Sequence, residues 1–274
     1  MSEKSNIAWT DASWNPVTGC SHVSEGCRNC YAETLSLRFG WSKKPWTAQN
    51  AAENVVLHPD RLEAPLHWRK PRRIFVNSMS DLFHEEVPQD FIASVFVVME
   101  RARHHTFQIL TKRAERMREA VSLPHRDSRW PLPNIWLGLS CEDQATADQR
   151  IPLLLDTPAA VRFVSCEPLL APIDLTRIVL PNDGYAHRFP PEVDALNRAH
   201  VDGLGFERGI KQGLDWVIVG GESGPGFRPM SLDWARSIRE QCRAAGVAYF
   251  GKQNSGPRPG IPLPGDLGDQ EFPA

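Results

Sequence analysis

The chain has 274 residues, of which 41% are hydrophobic and 23% charged, so it can bury a sizeable core in one barrel-like domain or two smaller ones. Its formal net charge of -2 excludes a general attraction to nucleic acid or acidic membranes, although a local basic cleft is compatible with it. No apolar run approaches the roughly 20 residues that span a bilayer, and the N-terminus lacks a signal-peptide core. These features predict a cytoplasmic protein without membrane contact. Six cysteines in such a chain favour thiols or metal ligands over disulfides.

Short apolar runs that end in polar residues recur along the chain. They begin at Arg73, Thr106, Asn134, Val161, Asp215 and Val247. Because these runs are β-rich without clean alternation, they predict strands buried on both faces of a parallel sheet. Apolar residues at helical spacing predict helices over residues 90–104, 114–121, 145–155 and 232–245. The alternation of strands and helices predicts an α/β fold, a partial or complete parallel (β/α) barrel of the TIM type.

The predicted barrel covers residues 1–254. Residues 181–213 are rich in Pro, Gly, His and charge, which predicts an insertion. Residues 255–274 are rich in Pro and Gly, which predicts an irregular tail.

Polar side chains follow the predicted strands, at the end where βα-repeat folds place their active sites. Helix capping is the ordinary role of any one of them. Six strands that end in the same way favour a ring of functional groups instead. The ring is formed by Asn77, Ser78, Ser80, Asp81, Thr111, Lys112, Arg113, Ser140, Glu142, Ser165, Glu167, Glu222, Ser223, Lys252 and Gln253.

Three cysteines, Cys20, Cys27 and Cys30, share the segment NPVTGCSHVSEGCRNCYA with the spacing Cys-x6-Cys-x2-Cys. Three thiolates from one loop can hold three irons of a [4Fe-4S] cluster and leave the fourth iron open. A structural zinc site, with His22 or His58 as fourth ligand, is the alternative. Unrelated buried thiols explain the spacing less well. The spacing alone leaves the cluster and the zinc site open.

Six blocks of sequence carry a resemblance to a known family. They are NPVTGCSHVSEGCRNCYA from residue 15, LTKRAERM from 110, NIWLGLSCED from 134, RFVSCEPLLAPIDL from 162, WVIVGGESGPGFRPM from 216 and GKQ from 251. In them the chain resembles the phage- and bacterium-associated three-cysteine-motif family of radical S-adenosylmethionine (SAM)-like proteins, and more loosely spore photoproduct lyases. The resemblance implies a radical SAM barrel in which a [4Fe-4S] cluster on Cys20, Cys27 and Cys30 cleaves SAM reductively to a 5′-deoxyadenosyl radical.

The sequence departs from the common radical SAM pattern, Cys-x3-Cys-x2-Cys with an aromatic residue before the last cysteine. The first spacer is longer here, and Asn29 precedes Cys30. Gly220-Gly221-Glu222 is similar to the GGE that contacts SAM, but it ends a late strand instead of the second one. Detailed geometry around the cluster therefore does not transfer.

The resemblance assigns roles to the polar ring. Residues 77–81, after the second strand, are expected to bind the SAM amino group. The serines and glutamates at the other strand ends are expected to bind the ribose or the methionine portion of SAM. Gln253 is expected to contact the substrate. The expected ligands of the SAM carboxylate or of a substrate phosphate are Lys112, Arg113, Arg228 and Lys252. Surface charge is the ordinary role of these cations.

Cys141 and Cys166 follow strand-end serines and are candidate hydrogen-atom donors to a substrate radical, as a cysteine is in spore photoproduct lyase. Because side chains alternate along a strand, buried inert thiols are the alternative. Trp9, Trp14 and Tyr31 lie near the cysteine segment and could stack on bases, although core packing is the ordinary role of such residues.

The resulting functional prediction is a radical SAM enzyme that acts on nucleic acid, as a lyase of thymine lesions in DNA, with a reductant such as flavodoxin or ferredoxin. One alternative is a radical SAM enzyme that modifies a nucleoside or peptide. Another is a non-catalytic, zinc-stabilised nucleic-acid-binding protein.

Overall fold

The computed structural model describes residues 4–122, 130–180, 192–197, 199–201, 207–209 and 212–273. The chain divides into two compact units, one of Met1–Gly138 with Pro158–Ala160 and the other of Leu139–Thr157 with Val161–Ala274. Among the described residues, no helix is long and apolar enough to cross a membrane.

The strands, in chain order, are β1 (Ala12–Trp14), β2 (Val17–Thr18), β3 (Val56–Leu57), β4 (Arg73–Val76), β5 (Thr106–Thr111), β6 (Ile135–Ser140), β7 (Val161–Cys166), β8 (Ile178–Val179), β9 (Glu192–Asp194), β10 (Ala199–Val201), β11 (Glu207–Gly209), β12 (Trp216–Gly220) and β13 (Ala248–Gln253). The helices are α1 (Tyr31–Arg38), α2 (Ala51–Asn54), α3 (Gln89–Arg101), α4 (Ala114–Ser122), α5 (Gln144–Leu155) and α6 (Leu232–Ala245).

Seven strands form a parallel sheet in the order β1-β4-β5-β6-β7-β12-β13. This sheet and its helices confirm the predicted α/β class, and the strand order suits a partial barrel. In that order β1 and β13 are the outer strands, so the strands that the structure describes do not close a complete barrel. The six predicted strands begin within one residue of β4, β5, β6, β7, β12 and β13.

In the first unit, β4 pairs in parallel with β1 and β5, and Phe75 lies between Ser13 and Gln108 in register. The side chains of β4 are buried after its first residue, as expected for a strand that is covered on both faces of the sheet. The sequence places α3 next, entered at Pro88, whose φ of -62° already suits a helix start. Ile92 lies on its buried face.

In the second unit, β12 pairs in parallel with β7 and β13, and all five of its residues are buried. Helix α6 spans the predicted residues. The Ser231 side chain caps its first turn, and Gly246 ends it with a left-handed φ of 67°. Its buried face holds Ala235, Ile238 and Cys242.

The predicted insertion at residues 181–213 lies partly outside the described residues. Its described parts form an antiparallel sheet with β8, in the order β11-β10-β9-β8. The tail has little regular structure but is packed. Phe272 lies 5.3 Å from both Trp216 and Phe250, centroid to centroid, and the Trp216 indole donates a 2.9 Å hydrogen bond to the Glu271 carbonyl.

Candidate metal centre and strand-end groups

The cysteine loop of the first unit follows β1 and is fixed at Gly19, directly before Cys20. Gly19 has a left-handed φ of 83°, and a Cβ at this position would lie 1.8 Å from the Asn54 carbonyl oxygen. Its N–H donates to the Met79 carbonyl at 3.0 Å. Only glycine fits this close approach, and the backbone entering Cys20 is therefore held in one place.

The residues that follow β4 support this loop. Asn77, itself at a left-handed φ of 62°, accepts a 3.3 Å hydrogen bond from the Val17 N–H through Oδ1. Ser80 Oγ donates to the Val17 carbonyl at 2.8 Å, and Ser78 Oγ lies 3.2 Å from the Asn15 amide. These three side chains, which were predicted to bind the SAM amino group, thus hold the cysteine loop in place. Their contact with SAM stays a prediction.

The thiols of Cys20, Cys27 and Cys30 are all half-buried. Burial raises the pKa of Cys20 to about 12, aided by the negative charge of Asp81 and opposed by Arg113. Burial also raises the pKa of Cys30, opposed by the backbone N–H groups of Glu33 and Ala32 at the start of α1 and by the charge of Lys112. An ionised Cys27 would raise the pKa of both other thiols further, so Cys27 lies near each of them.

Arg113 is the central cation of this region and is only 7% exposed. Its Nη1 donates to Cys20 Sγ at 3.5 Å and to Asp81 at 3.2 Å, and its Nε donates to Glu85 at 3.0 Å. Burial acts to lower its pKa, but Asp81, Cys20 and Glu85 raise it above its ordinary value. The N–H groups of this guanidinium already donate to acceptors of the protein, and one of these acceptors is Cys20. Arg113 therefore positions Cys20, and substrate binding by Arg113 stays a prediction.

Asp81 anchors the same network from the end of β4. Its carboxylate accepts hydrogen bonds from the Thr111 hydroxyl at 2.7 Å, the Phe83 N–H at 3.0 Å and the Lys112 N–H at 3.3 Å. With Arg113 these contacts satisfy a carboxylate that is only 6% exposed. Asp81 joins the strand ends of β4 and β5 to the loop.

Ser21 and His84 complete the network, and the sequence did not single them out. The Ser21 hydroxyl accepts from Arg113 Nη2 at 3.1 Å and lies 2.9 Å from His84 Nε2. His84 Nδ1 accepts from the Glu86 N–H, so the neutral ring donates through Nε2. Burial lowers the pKa of His84 to about 4, with Arg113 adding to the effect. No local pattern marks this histidine, because its partners come from tertiary structure.

The donor chemistry of the loop suits an iron–sulfur cluster, since three thiols stand beside the cations Arg113 and Lys112. Among the described residues, however, no three His, Cys, Asp or Glu side chains form a ready-made metal site, and the thiols would have to turn toward one another. Both histidines considered as a fourth zinc ligand have other partners. His22 binds Glu33 at 2.6 Å, and His58 binds the Thr18 hydroxyl at 2.8 Å.

In the second unit, Glu167 links the ends of β7, β12 and β13. Its carboxylate accepts from Lys252 Nζ at 2.7 Å and from Gln253 Nε2 at 3.2 Å. The Glu167 and Lys252 side chains are 18% and 19% exposed, so the pair is accessible to a small ligand. A Cβ on Gly220 would lie 2.9 Å from the Glu167 carboxyl carbon, which explains a glycine at this strand end.

The Gly-Gly-Glu stretch after β12 also has a packing role. A Cβ on Gly221 would lie 2.2 Å from the Ser255 backbone nitrogen, so this position requires glycine. Glu222 accepts hydrogen bonds from the Arg228 backbone N–H at 2.8 Å and from its Nε at 3.0 Å. Glu222 and Arg228 are thus brought together as an ion pair, and contact of either with SAM or a substrate stays a prediction.

Glu142, after β6, is 0% exposed and pairs with Arg150 Nη1 at 2.9 Å. The same Nη1 donates to the Ser140 carbonyl at 2.7 Å. Helix α5 is capped by Asp143 and not by Ser140, since the Asp143 side chain accepts from the Thr146 N–H at the start of the helix. Arg150 is a structural partner that the sequence did not indicate, since it lies within α5 with no motif around it.

The remaining candidates are buried. Ser165 is 1% exposed, and Cys141 and Cys166 are 0% exposed. Burial raises the pKa of Cys166 well above its ordinary value, with the neighbouring Cys141 and Cys242 adding to the effect. This placement favours packing roles for both cysteines, and hydrogen-atom donation stays a prediction. Trp9 and Trp14, considered for base stacking, are core residues, whereas Tyr31 is 47% exposed.

No curated protein and no solved structure matches the chain. A family described as "protein of unknown function (DUF5131)" matches residues 4–259, which is most of the chain. The match includes the cysteine loop with its Arg113 network and the strand ends of the second unit. The chain therefore belongs to the DUF5131 family.

Proposed function

We propose that the protein is a [4Fe-4S] enzyme of the radical SAM type. The observation that supports this most is the set of three half-buried thiols on one fixed loop, with Arg113 Nη1 3.5 Å from Cys20 Sγ. When bound, the cluster would supply the electron for reductive cleavage of SAM to a 5′-deoxyadenosyl radical.

The residues around the loop have definite tasks in this proposal. Cys20, Cys27 and Cys30 hold the iron. Arg113 donates to Cys20 Sγ at 3.5 Å, which offsets negative charge on that sulfur. The charge of Lys112 acts on Cys30 in the same sense. Asn15, Asn77 and the other loop supports keep the backbone in place while the thiols turn.

The wider proposal is a nucleic-acid substrate, with a thymine-lesion lyase reaction in DNA as the leading case, a reductant such as flavodoxin or ferredoxin, and a cytoplasmic location. These parts rest on the family resemblance. A nucleoside or peptide substrate is the second candidate within the same chemistry.

The test is anaerobic reconstitution with iron and sulfide, followed by dithionite reduction with SAM and an assay for 5′-deoxyadenosine. We expect iron, sulfide and 5′-deoxyadenosine, all lost together in a Cys20→Ala, Cys27→Ala, Cys30→Ala variant. The matched control is Cys242→Ala, which removes a buried thiol on α6 and should leave iron content unchanged. Stoichiometric zinc without 5′-deoxyadenosine would reject the proposal in favour of a zinc-stabilised binding protein. Lesion-containing DNA, offered as substrate, separates the two radical candidates.

A further inference from the structure

Exposed apolar side chains are concentrated in one stretch of the first unit. Of the seven large hydrophobic side chains exposed among the described residues, five lie between residues 23 and 41, from the cysteine loop through α1 and the turn after it. They are Val23, Tyr31, Leu37, Phe39 and Trp41. Apolar side chains that are exposed together are typical of surfaces that contact a partner, whereas single scattered ones are normal.

The most exposed members, Phe39 and Trp41, form a stacked pair. Their ring centroids are 5.2 Å apart with an interplanar angle of 30°, and their exposed fractions are 57% and 63%. Gly40 between them adopts a left-handed φ of 69°. The N–H groups of Trp41 and Ser42 both donate to the Ser36 carbonyl, at 2.8 and 3.1 Å. The rings are therefore presented on a backbone that is already fixed.

Two cations accompany this pair. The Arg38 guanidinium carbon lies 5.7 Å from the Phe39 ring centroid, and the exposed Lys43 follows Trp41 by two residues. Within the part of the chain that the structure describes, neither is in an ion pair, whereas Lys44 pairs with Glu53 at 2.6 Å. Positive charge that no described ion pair holds thus lies over the Phe39 ring and two residues after Trp41.

We propose that Arg38, Phe39, Trp41 and Lys43, here named the aromatic–basic turn, bind single-stranded nucleic acid. Each unpaired nucleotide joins a flat π-face to a phosphate, and these are the two features that stacked rings and unpaired cations recognise. An acidic protein surface would satisfy the cations but offers no ring for Trp41 to stack on. The pre-set backbone reduces the entropy lost when a base stacks.

This inference deepens the nucleic-acid part of the proposed function and rests on that part alone. It does not depend on iron, because none of the four residues belongs to the cysteine set. Binding can therefore be measured on the full chain carrying the three cysteine-to-alanine changes. Failure of the cluster proposal and failure of this one are then separate results.

The experiment is a fluorescence-anisotropy titration of a labelled single-stranded oligothymidylate with the full chain. Phe39→Ala with Trp41→Ala should weaken binding at least about tenfold, since stacking on each aromatic residue contributes about a factor of ten or more. Arg38→Ala with Lys43→Ala should weaken binding and reduce the slope of log affinity against log salt by about 1.4. All four side chains are exposed, so the variants should fold normally.

Matched controls are Val97→Ala, which removes an exposed apolar side chain on α3, and Lys70→Ala, which removes an exposed cation elsewhere. Both should bind as the parent does. Unchanged binding in the aromatic double variant would overturn the proposal. So would competition by polyglutamate as effective as that by unlabelled oligothymidylate, because it would show a polyanion site typical of acidic protein partners.

Discussion

Removing the guanidinium of Arg150 should destabilise the protein strongly. Glu142 is 0% exposed and Arg150 only 5% by side chain, and the two lie 2.9 Å apart. Arg150→Met deprives a fully buried carboxylate of this cation and also removes the 2.7 Å hydrogen bond to the Ser140 carbonyl. Breaking a buried pair in this way costs about 3–5 kcal/mol in the free energy of unfolding.

Urea unfolding of the full chain measures this cost. The urea concentration at the midpoint should fall, while the dependence of the unfolding free energy on urea concentration stays the same. The matched control is Arg177→Met, which breaks an ion pair with Glu192 of the same 2.9 Å length whose arginine is 67% exposed. An exposed pair of this kind contributes little to stability because solvent screens it, so Arg177→Met should shift the midpoint far less.

A double-mutant cycle separates the pair from the packing of its side chains. Glu142→Leu combined with Arg150→Met should be clearly more stable than Arg150→Met alone, since no buried charge is left behind. If Arg150→Met costs no more than Arg177→Met, the assignment of Glu142 to a buried structural pair is refuted.

Three further predictions follow from the site. After reconstitution, the Arg113→Met variant should retain less iron, and its cluster should have a more negative reduction potential. The reason is that hydrogen bonds to cysteine sulfur raise the reduction potential. An unchanged iron content and an unchanged redox titration would contradict this. Gly221→Ala should lower the melting temperature, because the added Cβ would lie 2.2 Å from the Ser255 nitrogen and overpacking costs about 1–3 kcal/mol; calorimetry showing the parental value would refute it. In the iron-free folded protein, the pKa of His84 is lowered from 6.5 to about 4. The unfolded chain therefore binds a proton more readily than the folded one. Stability should be lost as the pH falls from about 6.5 to about 4. His84→Gln should show a flatter pH profile of urea midpoints, and an equally steep profile would assign the loss to other groups.

Local patterns were enough to predict the main strands and four of the helices. The runs at Val161 and Asp215 have the continuous apolar character of strands flanked on both faces, and α6 carries its own cap and stop in Ser231 and Gly246. The strands β9 to β11 escaped prediction because each has only three residues, which is too few to show a strand pattern.

The candidate site was predictable only as a set of residue types. The spacing of Cys20, Cys27 and Cys30 identifies the loop, but nothing near Arg113 in the sequence indicates that it donates to Cys20, 93 positions away. The polar strand ends were predicted to face a ligand. Several instead satisfy one another, as Glu222 and Arg228 do, because charges near a buried sheet need partners whether or not a ligand binds.

The packed tail has a consequence for association between copies of the chain. β13 is an outer strand, and an outer strand offers unpaired backbone groups to other strands. Here the Gly251 N–H donates to the Asp269 carbonyl at 2.7 Å, and the Glu271 N–H donates to the Tyr249 carbonyl at 2.9 Å. The final residues thus occupy part of this edge. A chain shortened before Asp269 should expose it and aggregate, so a purification tag is better placed at the N-terminus.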